Sequence, residues 1–398
     1  MFLKSSTISL PLQLSFLIFS MVLNCMGIVI LQLAGSGISY AKLGILEAFK
    51  DLPIALISLF AAGFITRFGG KKSLTFSLLV VGCCCFLLPL VEAFWFFKIW
   101  FTVIGLCFAI AKISVYGIIR NSISSESLLA KVMSSVEASF MIGIFVVNIG
   151  FGWLISSAYS DYWKYGFWLI SLLAFLTVLL LQRSVTNLRI TTENKGSIIT
   201  VFKFFTKKNL LFFLTVFCIV FIEQNFNSWL PSFYKIHLGV NSFFALQATA
   251  FLALFSYIGR MVTSRIIQNF SLSRYFSFCV LLLLSVLLSA HFLLLNGFQQ
   301  ISLFLFPLIG LFLAPLYPVV SSGMITTVSR SDVNVFTSIL VIFSSLGSSF
   351  GSVSMSLIFQ YDYGKDYALL ISGAAVILFV ISFLYFRYHA SEKTKKNI

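Results

Sequence analysis

The sequence predicts an all-α polytopic membrane protein, with twelve transmembrane helices arranged as two pseudo-symmetric six-helix bundles. Three observations predict it. Hydrophobic residues make up 59% of the 398 and charged residues only 10%, with a mean hydropathy of +1.02. A soluble domain is ~45–50% apolar and ~25% charged, so an ordinary water-facing enzyme is excluded. Twelve apolar runs approach the ~20 residues that a bilayer-spanning helix needs. The longest polar gap, 28 residues from Gln182 to Asn209, follows the sixth run and divides the spans six and six.

In chain order the first half gives Leu12–Leu33, Leu43–Ile65, Leu74–Val91, Phe96–Ile118, Val132–Ile155 and Tyr165–Leu181. The second gives Leu210–Leu230, Phe243–Met261, Tyr275–Leu295, Ile301–Ile325, Val335–Phe359 and Tyr367–Phe386. The expected organisation is an N-terminal bundle over 1–181, a linker loop over 182–209, and a C-terminal bundle with a short tail over 210–398. Leu12–Leu33 is too long for a signal-peptide core, and no Ala-x-Ala cleavage site follows it.

The net charge is +15, but the 27 basic residues sit in short clusters between apolar runs rather than on one continuous face. That pattern speaks for membrane topology and against nucleic acid as a partner. With the N-terminus inside, 20 Lys and Arg fall on the inner side or at its edge, including Arg260 at the inner end of span eight, and 5 fall outside. This bias places both termini in the cytoplasm. Lys50 and Lys112 remain deep within spans. All seven cysteines lie inside apolar runs, with no Cys-x-x-Cys pair or histidine cluster, so neither a disulfide framework nor a metal is expected.

Twelve spans in two sets of six, joined by a basic loop, resemble the major facilitator superfamily. The loop after span two strengthens the likeness. That family carries Gly-x-x-x-Asp-Arg-x-Gly-Arg-Lys there, and this chain reads Ala62-Gly63-Phe64-Ile65-Thr66-Arg67-Phe68-Gly69-Gly70-Lys71-Lys72. Arg67, Gly69 and Lys71 match in register, while Thr66 stands where the family has an acid. The resemblance implies that spans one, four, seven and ten line a central cavity, that two, five, eight and eleven flank it, and that three, six, nine and twelve face lipid. It also implies Arg67 as a gating residue. The family's antiporter Gly-Pro pair is missing from span five, which favours uptake or symport over export. A narrower likeness lies in Leu46–Asp51, Phe108–Tyr116 and Trp229-Leu230-Pro231. These are similar to segments of a bacterial subgroup, some of whose members are tied to carboxylate-siderophore traffic.

The candidate site residues follow from the cost of charge in oil. Glu47, Lys50 and Asp51 share one face of span two, with Asp51 ~5 Å outside the span centre. An internal salt bridge that makes Lys50 tolerable is one reading. A proton or substrate site is the other, since two acids beside one lysine leave one carboxyl able to hold a proton. Lys112 lies ~7 Å to the inner side of the centre of span four. Its expected partner is Glu137 of span five, either as an inner gate pair or with Lys112 left to a substrate anion.

Span seven carries Glu223, Gln224, Asn225, Asn227 and Ser228, a polar lining or a packed hydrogen-bond network. Asn24 sits near the centre of span one. Span ten is expected to break at Pro315-Leu316-Tyr317-Pro318, projecting Tyr317 toward a cavity or merely kinking for packing. Gly347-x-x-x-Gly351 in span eleven reads as a site of close helix approach.

The expected function is transport of a small polar solute, with carboxylate or hydroxyl groups, across a bacterial inner membrane by alternating access. Glu47, Asp51 and Glu223 are the candidates for proton coupling. Asn24, Lys50, Lys112, Gln224, Asn227 and Tyr317 are the candidates for solute contact, and Arg67, Lys112 and Glu137 for gating. A carboxylate siderophore is one candidate solute, and a sugar or an amino acid is the alternative. An efflux carrier, a transport-dead sensor or scaffold, and a channel stay open. The expected partners are membrane lipids, the solute and protons. No cofactor, metal or catalytic constellation is expected, and the chain is expected to work as a monomer.

Overall fold

The computed structural model describes residues 2–122, 126–184, 204–267, 270–325 and 333–396. Fourteen α-helices among them build twelve spans in two sets of six. In the first half these are α1 (Phe2–Leu23), α2 (Met26–Gly35), α3 (Tyr40–Phe68), α4 (Gly70–Leu87), α5 (Phe94–Ser122), α6 (Glu126–Ser156) and α7 (Gly166–Ser184). In the second they are α8 (Lys207–His237), α9 (Ser242–Ile266), α10 (Leu272–Leu295), α11 (Gln299–Leu313), α12 (Leu316–Ile325), α13 (Val333–Gln360) and α14 (Tyr367–Lys396). Helices alone satisfy the backbone polar groups of a chain immersed in hydrocarbon. Eleven segments among the described residues are long and apolar enough to cross a membrane. α3 is not among them, and its first dozen residues hold Lys42, Glu47, Lys50 and Asp51.

Two spans are each made of two helices. Span one is α1 and α2, interrupted at Asn24 and Cys25, and span ten is α11 and α12, interrupted at Ala314 and Pro315. The second interruption lies where the paired prolines place it, because Pro318 has no N–H to give to the carbonyl of Ala314. The first has no proline. Cys25 Sγ donates to the Val22 carbonyl at 3.0 Å, so a side chain takes up an acceptor near the end of the helix, while Asn24 Nδ2 adds a second donor, at 3.0 Å, to the Ser20 carbonyl that already accepts its own N–H.

An even number of spans puts both termini on one face, here the termini face, opposite the far face. α3 turns into α4 on the termini face through Gly69, whose φ of +85° disfavours any residue with a Cβ. The equivalent turn after α9 includes residues outside the described set. Of the expected linker 182–209, residues 185–203 also lie outside the described set; Thr206 caps α8, its hydroxyl accepting from the Asn209 N–H at 3.3 Å.

The same backbone contacts recur in the two halves. A Cβ on Gly105 of span four would lie 2.2 Å from the Lys50 carbonyl oxygen of span two, and one on Gly310 of span ten 2.5 Å from that of Leu252 in span eight. A Cβ on Gly143 of span five would lie 2.5 Å from the Leu17 carbonyl of span one, and one on Gly347 of span eleven 2.4 Å from that of Phe217 in span seven. Span four thus meets span two as ten meets eight, and five meets one as eleven meets seven. Without a hydrophobic drive between helices in lipid, such close approach is what holds a bundle together. Spans two and eleven pack along each other across the halves, as do five and eight. Only 28% of the span-nine stretch and 33% of the span-twelve stretch are buried, against 83% of span one, so nine and twelve face outward. Span three, expected to face lipid with nine and twelve, is 56% buried and packs on both four and six.

Glycine-to-alanine changes separate this packing from helix propensity, which alone favours alanine by about 1 kcal/mol. Gly105→Ala and Gly310→Ala are expected to destabilise by about 1–3 kcal/mol through overpacking. Gly150→Ala, with no atom within 4 Å of the added carbon, is expected to be neutral or mildly stabilising. Thermal unfolding of the detergent-solubilised protein distinguishes the two outcomes.

Candidate functional site

Four spans converge on one buried charge cluster. Glu47 is fully buried, and Lys50 and Asp51 are each 4% exposed. The Lys50 ammonium pairs with Glu47 Oε1, lies 3.8 Å from Asp51 Oδ1, and donates to the Leu23 carbonyl at 3.3 Å. Leu23 ends α1, so the ammonium sits on an acceptor left by the break in span one, at the negative end of a helix dipole. Glu47 is also held from the other half. Gln224 Nε2 donates to its Oε1 at 2.8 Å, and Ser228 Oγ to its Oε2 at 3.0 Å. Ser348 of α13 lies beside Asp51, whose Oδ2 has no hydrogen-bond partner.

A second cluster lies nearer the termini face. Arg260 of α9 places Nη2 3.8 Å from Glu223 Oε1 and donates from Nε to the Ala314 carbonyl at 3.3 Å. Ala314 closes α11 at the break in span ten. Glu223 and Arg260 keep 26% and 24% of their side-chain surface exposed, unlike the sealed cluster on α3. From the first half, Tyr116 of α5 donates to Glu137 Oε1 of α6. The two halves face each other here, with Met141 and Ile144 of α6 set against Glu223 and Asn227 of α8. Glu223, Asn227, Ser256, Ala314, Met141 and Ile144 bound a cavity of about 10 Å³ between the halves, room for about one water.

Helical geometry explains how one polar run serves both clusters. Glu223 and Asn227 are one turn apart and face the small cavity. Gln224 and Ser228, rotated by one residue, face Glu47. Asn225 turns its amide toward Gly351 of α13, while its backbone carbonyl accepts from the Tyr367 hydroxyl of α14 at 3.0 Å.

The far-face half is closed. Tyr40 of α3 packs its ring on Trp229 of α8 and Phe359 of α13, with centroids at 6.1 and 5.8 Å. Trp229 Nε1 donates to Ser352 Oγ at 2.9 Å. Gly27 of α2 leaves just 3.0 Å between a would-be Cβ and the Asn227 carbonyl, and the gap from Gly44 of α3 to the Ser356 side chain is 2.3 Å by the same measure.

The structure corrects several expectations. Lys112 and Glu137 are not paired: Glu137 accepts from Tyr116, and the Lys112 ammonium lies 5.8 Å over the Phe108 ring. The preference of Lys112 for an aromatic face one turn away replaces a reach across to α6. Arg260 belongs with the interior charges, since its long side chain reaches Glu223 from six residues before the end of α9. Glu47 and Asp51, expected as a salt bridge or as a proton or substrate site, are sealed in this conformation, whereas Glu223 keeps about a quarter of its side chain exposed. Arg67 is exposed on the termini face, its guanidinium 5.7 Å over Phe68, and it makes no ion pair among the described residues. Asn24 is 8% exposed and bonded within its own span. Tyr317 is half-buried on α12, at the edge of the second cluster. Arg260 and Tyr116 are the site residues that sequence reading missed. The signal for Arg260 was its place six residues past the midpoint of a 25-residue helix, within reach of mid-membrane for a side chain that long.

The Major Facilitator Superfamily model matches residues 12–306. No curated protein matches the chain by sequence. Among solved structures, a D-xylose-proton symporter superposes with a TM-score of 0.80 at 14% identity, covering 96% of this chain and 98% of its own. A bacterial homologue of the human lysosomal transporter Spinster, inward-facing and unoccupied, gives 0.75 at 13% identity, with 96% and 97% covered. The nucleoside transporter NupG gives 0.71 at 14% identity, with 96% and 99% covered. The fold is therefore the major facilitator fold, with twelve helices spanning a membrane.

The charge cluster on α3 makes a sharp prediction. Lys50→Met leaves two sealed carboxylates without their cation and is expected to cost about 3–5 kcal/mol. The double variant Glu47→Gln with Lys50→Met removes one charge of each sign and is expected to recover most of that loss, a coupling that a double-mutant cycle in thermal unfolding measures. Additive losses would show that the three groups do not act as a unit.

Proposed function

This chain belongs to the Major Facilitator Superfamily, and we propose that it is a secondary active transporter that moves a small polar, carboxylate-bearing solute across a bacterial inner membrane by alternating access. A carboxylate siderophore is one candidate solute. The 20-to-5 bias of basic residues supports a far face turned outward with both termini cytoplasmic. The bounds 1–181, 182–209 and 210–398 describe two bundles and a linker that rock as units, and one chain suffices for the cycle.

One observation carries the reading: the carboxylate of Glu47, in the first half, is bonded to Gln224 and Ser228 in the second. Opening the far face must break those bonds and lets water reach Glu47, Lys50 and Asp51. Closing it again must bury them. Burying two carboxylates with one ammonium is costly, and least so when one carboxyl carries a proton. Asp51, whose Oδ2 lacks a partner, is the acid that the cluster holds less firmly. A proton taken up outside thus favours the closed far face, which couples the conformational change to protons. Glu223 supplies a further ionisable group on the inner path.

Lys112 has no anionic partner among the described residues, which supports it as a handle for a solute carboxylate, with Asn227, Gln224 and Tyr317 offering hydrogen bonds. Asn24 lines the same path from span one, while Arg67 and Glu137 gate the inner side. A second reading, a sugar or amino-acid symporter, is favoured by a different observation. Lys50 and Arg260 are both engaged by acids, which leaves mostly neutral donors for the solute. The D-xylose-proton symporter and the nucleoside transporter among the structural neighbours fit that reading.

Uptake by vesicles under an imposed pH gradient, with the interior alkaline, tests the coupling. The expected result is several-fold faster accumulation than in gradient-free vesicles, lost in Asp51→Asn. Equal uptake with and without the gradient removes the proton from the mechanism.

A further inference from the structure

We propose that Arg260 is the anchor for the solute's carboxylate, and that the solute wins this guanidinium from Glu223, which takes a proton as it is displaced. The proposal rests on the carboxylate-solute reading above and deepens it by making Arg260 the anchor, with Lys112 a secondary contact, and by naming the exchange.

The geometry points to a pair built to be broken. The Arg260–Glu223 contact is 3.8 Å, longer than a charge-assisted hydrogen bond of ~2.7–2.9 Å. Both side chains keep about a quarter of their surface exposed although they lie inside the fold. Arg260 is fixed at one edge by its Nε bond to the Ala314 carbonyl. That bond leaves Nη2 on the side of Glu223, which itself borders the small cavity, and the planar fork of a guanidinium suits a carboxylate. The Lys50 pair differs in each respect: it is sealed, tightly bonded, and shared by two acids and a helix end.

The exchange balances. The Arg260–Glu223 pair, one solute carboxylate and one proton become an Arg260–solute pair and a neutral Glu223, so the net charge of the site rises by nothing. The groups facing Glu223 favour this outcome. Glu137 of α6, held by the Tyr116 hydroxyl of α5, is the acid across the halves, and Arg260 of α9 is the cation that the solute takes. With its cation withdrawn and an acid opposite, a carboxylate near mid-membrane is driven to its neutral form. The site's cavity, about 10 Å³ in this conformation, must widen to admit the solute, which the rocking of the two halves provides. Asn227 on its wall and Tyr317 nearby suit hydroxyl groups, so the ligand class is a hydroxycarboxylate.

Thermal unfolding of the purified full-length protein reads this directly, with tartrate and gluconate as probes and xylose as the uncharged control. Both acids stay ionised between about pH 6 and about pH 8, so any pH dependence belongs to the protein. A hydroxycarboxylate is expected to stabilise the wild type, binding more tightly at the lower pH because a proton is taken up with it. Arg260→Gln is expected to weaken binding about tenfold or more, with part recovered in Arg260→Lys. Glu223→Gln is expected to bind at least as tightly as the wild type and to lose the pH dependence, a readout that stands even if the Arg260 variants fail to fold. Unchanged binding in Arg260→Gln, or a pH dependence that survives Glu223→Gln, overturns the proposal while leaving a carboxylate transporter intact. Stabilisation by xylose and by neither acid overturns the carboxylate reading itself, and this inference with it.

Discussion

A cation seated on the broken end of a membrane helix is the interaction on which this structure depends. It occurs once in each half. Lys50 of span two donates to the last carbonyl of α1, and Arg260 of span eight to the carbonyl that closes α11. A break in a membrane helix exposes carbonyls that hydrocarbon cannot satisfy. A lone cation at that depth is equally unwelcome. Each problem is relieved by the other, and the remaining charge is met by Glu47 and Asp51 in one case and by Glu223 in the other. Removing any member leaves the rest exposed to the full cost of burial, so breaks, cations and acids form one unit.

The repeat extends to the backbone contacts around these units. Gly105 and Gly310 bring the cavity spans four and ten against the spans that bear Lys50 and Arg260, and Gly143 and Gly347 seat spans five and eleven on one and seven. The two halves are thus alike in how cations and glycines are placed, and unlike in how tightly the cation is held. In the first half the ammonium is sealed beneath the aromatic contacts of Tyr40, Trp229 and Phe359. In the second the guanidinium is partly open. A carrier that exposes one side at a time needs such an inequality in each of its states.

How much of this was legible in the sequence depends on whether the signal is local. Apolar runs gave the twelve spans, because the length a bilayer demands is a one-dimensional property. The break in span ten was legible because Pro315 and Pro318 act on their own backbone. The break in span one was not, since it is stabilised by Lys50, 27 residues away, and by side-chain bonds that Asn24 and Cys25 make in many contexts. Likewise Glu47, Lys50 and Asp51 were legible as a group on one helix face, but their ties to Leu23, Gln224, Ser228 and Ser348 are tertiary. Lys112 and Glu137 were matched by depth alone, which says nothing of azimuth, and Tyr116 took the acid instead. Arg260 was misread because the apolar run stops beside it, whereas the helix continues to Ile266 and the side chain reaches inward to Glu223.

That misreading bears on the balance of the interior. With Arg260 included, three bases (Lys50, Lys112 and Arg260) face four acids (Glu47, Asp51, Glu137 and Glu223). The set is one negative charge from neutral if all are ionised. Neutrality in a low-dielectric interior can then be reached by one proton. An anionic solute entering alone adds a second negative charge and worsens the imbalance, whereas an anion entering with a proton adds none. The same count that makes a bare carboxylate costly therefore makes a carboxylate with its proton acceptable, and links the choice of solute to the choice of coupling ion through the charges the bundles already hold.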